Sequence, residues 1–237
     1  MIEVKNLKKN YGQKTAVNGI SFTVDNNEVL GLLGPNGAGK STIMNIISGF
    51  IPASDGTVSV CGIDVFEKPI EAKRKIGYLP EQPPIYPEMT VREYLSFVAE
   101  LKGEKDIKTA VAAAAKKTGV SNVMDRRTGN LSKGYKQRTG FAAALLGDPE
   151  VLILDEPTVG LDPNQIIEIR KLIKALGKKH TVILSSHILG EINAVCDRII
   201  IVNNGMLTAD TVPEKDAAKL EELFVKLTGG NNDEGDL

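Results

Sequence analysis

The sequence predicts an α/β fold with a mainly parallel sheet, a small antiparallel β layer and an all-helical insert. Short runs of Val, Ile and Leu alternate with helical segments over most of the chain, as in folds whose parallel strands are joined by helices. Near the beginning, other runs alternate apolar with polar side chains, which is typical of half-exposed strands. Strand-like runs are absent between residues 83 and 149, where the apolar spacing is helical.

The two predicted sheets differ in how their strands are covered. Alternating apolar and polar residues predict an antiparallel layer at 2–4, 20–24 and 57–60. Strands that are buried on both faces need near-continuous apolar runs. Runs of this kind predict the parallel sheet, and they are Val29–Leu33, Ile76–Leu79, Val151–Leu154, 181–184 and 199–202.

The starts of helices are predicted from capping residues, which satisfy the first backbone amides of a helix. Thr90 and Glu93 form a capping box, and Asp162 followed by Pro163 is a favoured N-cap and first turn. Apolar residues at helical spacing then predict how far each helix extends. The predicted helices are one from Val91, one near Ile107–Thr118, and others at about 134–146, about 163–176 and within 213–228.

Composition narrows the possible partners. The 29 Lys and Arg residues are balanced by 30 Asp and Glu residues, which gives a formal net charge of −1. Without a basic excess there is no electrostatic support for binding nucleic acid, and no nucleic-acid partner is expected. No apolar run approaches the roughly 20 residues that a membrane-spanning helix needs, and no leader-like segment opens the chain. We therefore expect a cytoplasmic protein that reaches a membrane only through a partner.

The two cysteines and one of the histidines are not expected to take part in chemistry. Cys61 and Cys196 lie far apart in apolar stretches, so we expect small buried side chains rather than metal ligands or a disulfide. His180 stands beside two lysines and is expected to be exposed.

A glycine-rich motif follows the predicted strand Val29–Leu33 and opens a predicted helix. Its pattern is GxxxxGK[ST], in which glycines let backbone amides converge on phosphate groups. The helix N-terminus adds partial positive charge, Lys40 supplies a cation for the phosphates, and the Ser41 hydroxyl is suited to Mg²⁺. The alternative, a glycine-rich turn with an exposed lysine, does not account for the strand–loop–helix context. The predicted phosphate-binding residues of this loop are Gly34, Pro35, Asn36, Gly37, Ala38, Gly39, Lys40, Ser41 and Thr42.

Two carboxylates, Asp155 and Glu156, end the predicted strand Val151–Leu154. Burying carboxylates is costly unless they are paired or bound to a metal. Asp155 is suited to hold Mg²⁺, and Glu156 is suited to accept a proton from the attacking water. The alternative is a helix N-cap, because Pro157 and Thr158 follow. The phosphate motif upstream favours the catalytic interpretation.

The segment LSKGYKQR at 131–138 resembles the signature of ATP-binding cassette (ABC) proteins, commonly LSGGQ followed by a basic helix. The chain resembles that family, with its P-loop NTPase core, over roughly residues 2–210, and its motifs come in the family's order. The resemblance implies roles for four further motifs. Tyr11 would stack on adenine, Gln82 would sense the γ-phosphate and Mg²⁺, 159–162 would be the D-loop with Asp162, and His187 would be the switch histidine. Simpler alternatives are a surface aromatic, a loop glutamine and a helix cap for Tyr11, Gln82 and Asp162.

The resemblance also implies a head-to-tail dimer that hydrolyses Mg-ATP. Because the signature lies on the helical insert, Ser132 and the helix starting near Gly134 are expected to contact ATP held by the opposite cassette, and an identical partner is expected. Integral membrane permease subunits would use this motor at the inner face of the membrane, as in the drug and polysaccharide exporter branch. The implied organisation is one domain at 1–228, with an ATP-binding core (1–82 and 150–212), a helical subdomain (83–149), a C-terminal helix (213–228) and a disordered tail (229–237).

Other function classes are less well supported. ABC ATPases of translation or DNA repair usually carry two cassettes, a long coiled-coil insert or zinc-binding cysteines, and none is visible in the sequence. An inactive binding module is disfavoured because Glu156 and His187 are both present.

The signature departs from the commonest pattern at Lys133 and Tyr135. We expect Lys133 to be solvated, the alternative being a ligand of the opposite γ-phosphate. The proline-rich segment 82–87 is expected to line a groove for a short helix of a membrane subunit.

Overall fold

The computed structural model of the chain describes residues 1–214 and 217–229. Apart from Gly229, the predicted disordered tail lies outside the described residues. The strands are β1 (Ile2–Tyr11), β2 (Lys14–Val24), β3 (Val29–Leu33), β4 (Asp55–Val60), β5 (Ile63–Asp64), β6 (Ile76–Leu79), β7 (Val151–Leu154), β8 (Thr181–Ser186), β9 (Arg198–Asn203) and β10 (Met206–Thr211). The α-helices are α1 (Lys40–Ile47), α2 (Pro69–Lys75), α3 (Val91–Leu101), α4 (Ile107–Thr118), α5 (Lys133–Leu145), α6 (Pro163–Gly177), α7 (Leu189–Val195) and α8 (Ala217–Thr228).

The strands form two sheets. The larger has the order β10-β9-β3-β8-β7-β6, and its members run parallel except for β10, which pairs antiparallel with β9. The smaller is antiparallel with the order β2-β1-β4-β5. Every strand predicted for either sheet is present, and the predicted fold class is confirmed.

Three apolar cores hold these layers together. The first lies between the two sheets and contains the buried side chains of α1. The second covers the other face of the parallel sheet, where α6, α7 and α8 pack. The third joins α3, α4 and α5 into the predicted all-helical insert. Among the described helices, none combines the length and apolar character that crossing a membrane requires.

The two predicted N-caps, Thr90 of α3 and Asp162 of α6, are both present. The Thr90 hydroxyl accepts from the Glu93 amide at 3.2 Å, and the Glu93 carboxylate accepts from the Thr90 amide at 2.7 Å. The Asp162 carboxylate accepts from the Gln165 amide at 2.9 Å. Both caps satisfy amides that the first helical turn leaves without a partner. The bounds of α3 and α6 therefore follow from local chemistry.

Four elements, β5, β10, α2 and α7, were not predicted. Each is short or lacks a clear apolar period, since only one residue of α2 (Ala72) is buried and most of β10 is partly exposed.

Two expectations about the burial of single side chains were wrong. His180 is buried at 5% exposure, and its Nδ1 bonds to the Pro149 carbonyl at 2.7 Å, which satisfies a polar group of the buried ring. Cys61 is only partly buried, because it begins the exposed turn between β4 and β5.

The parallel sheet determines where the polar motifs meet. Strand β3 lies next to β8, and β8 lies next to β7. Because parallel strands end at the same edge, the loops that follow these three strands converge there. The glycine-rich motif, the two carboxylates and His187 therefore come together from distant parts of the sequence.

Candidate active site

The glycine-rich loop between β3 and α1 is tightly packed. Gly39 has a φ of 108°, and a side chain there would bring its Cβ within 2.6 Å of the Ala16 carbonyl oxygen. Only glycine meets both conditions without strain. The Lys40 ammonium is buried and donates to the carbonyls of Gly34 at 2.7 Å and Pro35 at 3.1 Å. The loop therefore holds a desolvated cation at the start of a helix, which suits phosphate binding.

Asp155 is buried at the end of β7 and lies beside the first turn of α1. Its Oδ1 accepts a hydrogen bond from the Ser41 hydroxyl at 3.2 Å and another from the Ser185 hydroxyl at 2.6 Å. No group of three or more His, Cys, Asp and Glu residues that could hold a metal occurs in the described part of the chain. The Ser41 and Asp155 oxygens are hard ligands, the type that Mg²⁺ takes in proteins together with substrate phosphates.

Glu156 stands in a constrained position next to the buried cation. Its backbone is left-handed (φ 46°), and its amide donates to the Ser185 hydroxyl at 2.9 Å. Glu156 is buried at 7% exposure, with its Oε1 at 3.6 Å from Lys40 Nζ and its Oε2 at 3.0 Å from His187 Nδ1. A left-handed glutamate costs on the order of 1 kcal/mol, and such strain concentrates at functional positions. The arrangement places a potential base, a cation and a histidine within one contact of each other.

Lys40, Glu156 and His187 line a cleft of about 480 Å³, whereas Asp155 lies behind Ser41 and does not line it. Tyr11 is at its rim, with half of its surface exposed and its ring 5.2 Å from the Lys9 ammonium. Gln82 is exposed and does not line the cleft, whereas the adjacent Glu81 does. Three of the predicted phosphate-loop residues, Gly34, Pro35 and Ala38, do not line the cleft. The lining residues are Tyr11, Lys14, Ala16, Asn36, Gly37, Gly39, Lys40, Ser41, Thr42, Glu81, Glu156, Val159 and His187.

The signature residues lie elsewhere. Ser132 caps α5 by accepting from the Tyr135 amide at 3.4 Å, and Gly134 is buried against the side chain of Gln165. Asp162 caps α6, and none of Ser132, Gly134 and Asp162 lines the cleft of its own chain. The structure thus gathers the phosphate loop, Asp155, Glu156 and His187 but leaves the signature apart.

The two unusual signature residues make contacts within the chain. The Tyr135 hydroxyl accepts from the Asn122 amide nitrogen at 2.9 Å, and its ring lies 5.9 Å from the Arg138 guanidinium. The Lys133 side chain is exposed, but it also lies against Gly160. The exposure of Lys133 agrees with the expectation of a solvated side chain, and the missing Cβ of Gly160 leaves room for its outer end.

Comparisons with known proteins decide the family. The family model described as ABC transporter matches residues 17–159, which is more than half of the chain. The chain belongs to the ABC transporter family. It is an ATP-binding subunit that hydrolyses ATP to drive transport.

Individual relatives cover nearly the whole ABC subunit. The linearmycin resistance ATP-binding protein LnrL of Bacillus subtilis (strain 168) is 40% identical over 214 residues, which are 88% of this chain and 68% of that protein. The lantibiotic transport ATP-binding protein SrtF of Streptococcus pyogenes is 36% identical over 226 residues, covering 94% of this chain and 96% of SrtF. A solved ATP-binding subunit of an ABC transporter has a TM-score of 0.85 at 30% identity, covering 96% of this chain and 99% of its own.

Sequence reasoning missed two polar residues that hold the site of the ABC subunit in place. Ser185 bonds both to the Asp155 carboxylate and to the Glu156 amide. Glu191 is buried and accepts hydrogen bonds from Thr158 and from Ser186, the latter at 3.3 Å. The signal for Ser185 was a pair of serines ending the apolar run of β8 directly before His187. Glu191 gave no such signal, because it lies on the short helix α7.

Replacing Tyr11 tests its predicted contact with adenine. Stacking of an aromatic ring on a base contributes roughly 1–3 kcal/mol, so Tyr11→Ala is expected to weaken ATP and GTP binding together by about tenfold or more. Tyr11→Phe retains the ring and serves as the matched control, with affinity close to that of the wild type. Equilibrium titration with a fluorescent ATP analogue measures both variants, and an unchanged affinity in the alanine variant would refute the stacking role.

Proposed function

We propose that this ABC subunit is one half of the motor of an exporter, in which each ATP is bound by one cassette and covered by the signature of another. The observation that carries this proposal is the separation of Ser132 and Gly134 from the cleft of their own chain. A signature that does not reach the phosphate loop of its own chain needs a second chain to contact ATP. By the same reasoning, Asp162 would lie near the opposite cassette.

The phosphate groups of ATP would be held by the loop amides, by Lys40 and by the N-terminus of α1. The Lys40 ammonium is paired with the Glu156 carboxylate at 3.6 Å. Phosphate oxygens would replace that carboxylate as partners of the ammonium, because they carry more negative charge. Binding of ATP therefore frees Glu156 for the attacking water.

Hydrolysis would then proceed at Glu156. The water oxygen forms a bond to the γ-phosphorus, the bond from that phosphorus to the bridging oxygen breaks, and the water proton passes to the Glu156 carboxylate. His187, at 3.0 Å from this carboxylate, orients it. We assign Gln82 to the same step, as a loop residue that would approach the γ-phosphate when the cassettes close.

The residues present fit Mg²⁺. Ser41 and Asp155 would hold it, with Gln82 as a further oxygen ligand from the loop. The ion would supply charge neutralisation at the β- and γ-phosphates. Ser185 keeps the Asp155 carboxylate in place by a 2.6 Å hydrogen bond.

Export is the transport direction supported by the Nod factor export ATP-binding protein I of Burkholderia orbicola (strain AU 1054), which is 36% identical over 215 residues, covering 90% of this chain and 71% of that protein. The motor would sit at the inner face of the membrane, bound to integral membrane permease subunits, and would pair with an identical cassette. A role in translation or DNA repair is less well supported. The insert consists of short helices, α3, α4 and α5, rather than a long coiled coil.

A groove between the ATP-binding core and the helical insert is the proposed binding site for a permease helix. Its volume is about 320 Å³. Pro84 of the proline-rich segment lines it, whereas Ile85 packs against the core of the insert. Phe50 lines the groove with 73% of its surface exposed, which is unusual for so large an apolar side chain. Lys102 also lines the groove, and burial lowers its pKa to about 8.

Charge introduced into this groove is expected to separate the motor from the permease. Phe50→Glu would place a carboxylate against the apolar docking helix, which costs roughly 1–3 kcal/mol and lowers assembly by about tenfold or more. Val225→Glu, at an exposed apolar position on α8, is the matched control. Co-purification from membranes measures assembly, and basal ATPase activity of the isolated subunit should be unchanged. Wild-type assembly of Phe50→Glu would contradict this docking site.

A further inference from the structure

The side chain of Lys133 lies across the face of Gly160 that a Cβ would occupy. A Cβ at Gly160 would stand 2.0 Å from Lys133 Nζ, 3.0 Å from Cε and 3.4 Å from Cδ, and these are its three nearest atoms. The ammonium is therefore the nearest group to this face of Gly160, and the outer stem, Cε and Cδ, lies beside it. We infer that Lys133 is a positioning residue for hydrolysis, which fixes the turn after Glu156 through its stem.

The turn that Lys133 contacts begins at the proposed base. The Val159 amide donates to the Glu156 carbonyl at 3.2 Å, and the Leu161 amide donates to the Thr158 carbonyl at 3.2 Å. Glu156 and Gly160 both have left-handed backbones, with φ of 46° and 69°. Val159, between them, lines the nucleotide cleft. A shift of Gly160 would therefore be transmitted to the cleft through a turn of only a few residues.

The backbone that carries Lys133 is itself held against α6. Lys133 is the first residue of α5, and the next residue, Gly134, packs against the Gln165 side chain. One turn further along, Arg138 pairs with Glu168 of α6. The stem of Lys133 thus extends from a supported helix end onto the turn. This connects the signature end of the helical insert with the loop that bears Glu156.

Two other roles for Lys133 make different predictions. A ligand of the γ-phosphate on the opposite cassette would need the charge, so Lys133→Met and Lys133→Ala would both weaken hydrolysis. A purely solvated lysine would tolerate both changes. A positioning contact made by the stem needs length but not charge, because methionine retains an unbranched side chain of similar reach. Only this role predicts that alanine fails and methionine succeeds.

The inference rests on the proposed ATP hydrolysis and is tested by steady-state kinetics on the purified full chain. Lys133→Ala is expected to lower kcat about threefold to tenfold with KM for ATP unchanged, because small misplacements of reacting groups slow chemistry without affecting binding. Lys133→Met should restore kcat to within about twofold of the wild type. Lys117→Ala, an exposed lysine on α4 of the same insert, controls for the loss of charge. A wild-type kcat in Lys133→Ala, or an equal loss in Lys133→Met, would overturn the inference.

A double-mutant cycle with Gly160→Ala adds an independent measurement. Alanine at residue 160 is strained by its positive φ in any background, but it also collides with the Lys133 stem when lysine is present. The loss of kcat caused by Gly160→Ala should therefore be smaller in the Lys133→Ala background. Strictly multiplicative effects would show that the two residues do not interact.

Glu156→Gln separates this inference from the proposed function. If Glu156→Gln abolishes turnover while Lys133→Ala retains it, only this inference fails. If Glu156→Gln retains turnover, the proposed base fails instead.

Discussion

Glu156→Gln is expected to lower ATP turnover by about 100-fold or more while ATP binding persists, because the amide cannot accept the proton of the attacking water. Glutamine retains the size of the buried side chain, so packing at this 7% exposed position should be preserved. Release of phosphate from ATP under saturating substrate measures the effect. Glu100→Gln, an exposed change on α3, is the matched control. Near wild-type turnover would show that another group acts as the base.

The same variant should accumulate as a dimer held by ATP. Hydrolysis removes the contacts of the γ-phosphate, so a cassette that binds ATP without cleaving it remains in the closed state. The change also removes the negative partner of Lys40, which lies 3.6 Å from the carboxylate. The phosphates of ATP should therefore meet less competition from the protein's own carboxylate for the Lys40 ammonium. Light scattering with and without ATP measures the dimer fraction.

Local patterns were sufficient for most of the fold. Continuous apolar runs predicted β3, β6, β7, β8 and β9, since strands covered on both faces leave no room for polar residues. The capping chemistry of Thr90 and Asp162 located the starts of α3 and α6. Helices α2 and α7 were missed because each has seven residues, too few to show a clear 3.6-residue period.

The candidate site was only partly accessible from sequence. Motifs indicated one site for Lys40, Asp155, Glu156 and His187. Glu156 contacts Lys40 and His187, and Asp155 contacts Ser41 of the same loop. The hydrogen bonds of Ser185 depend on the register of β7 and β8, which local patterns do not reveal. The contact of Lys133 with Gly160 likewise depends on how the insert packs against α6.

The second prediction with a large expected effect on ATPase activity concerns how two cassettes pair. Lys40→Ala removes the phosphate-binding cation, and Ser132→Arg blocks the signature, so each variant alone should be inactive. In a head-to-tail dimer of the two, one site carries both lesions and the other carries neither. Random mixing should therefore restore roughly a quarter of wild-type ATPase activity, because half of the dimers are mixed and each has one intact site.

Measuring the ATPase activity of this mixture tests the central claim most directly. The matched control mixes Lys40→Ala with Glu156→Gln, whose lesions lie in the same cleft, so no site of the mixed dimer is intact and no activity should return. Restored activity in the first mixture and none in the control is the predicted result. A first mixture no more active than its two components would contradict the shared site and place ATP hydrolysis within a single chain.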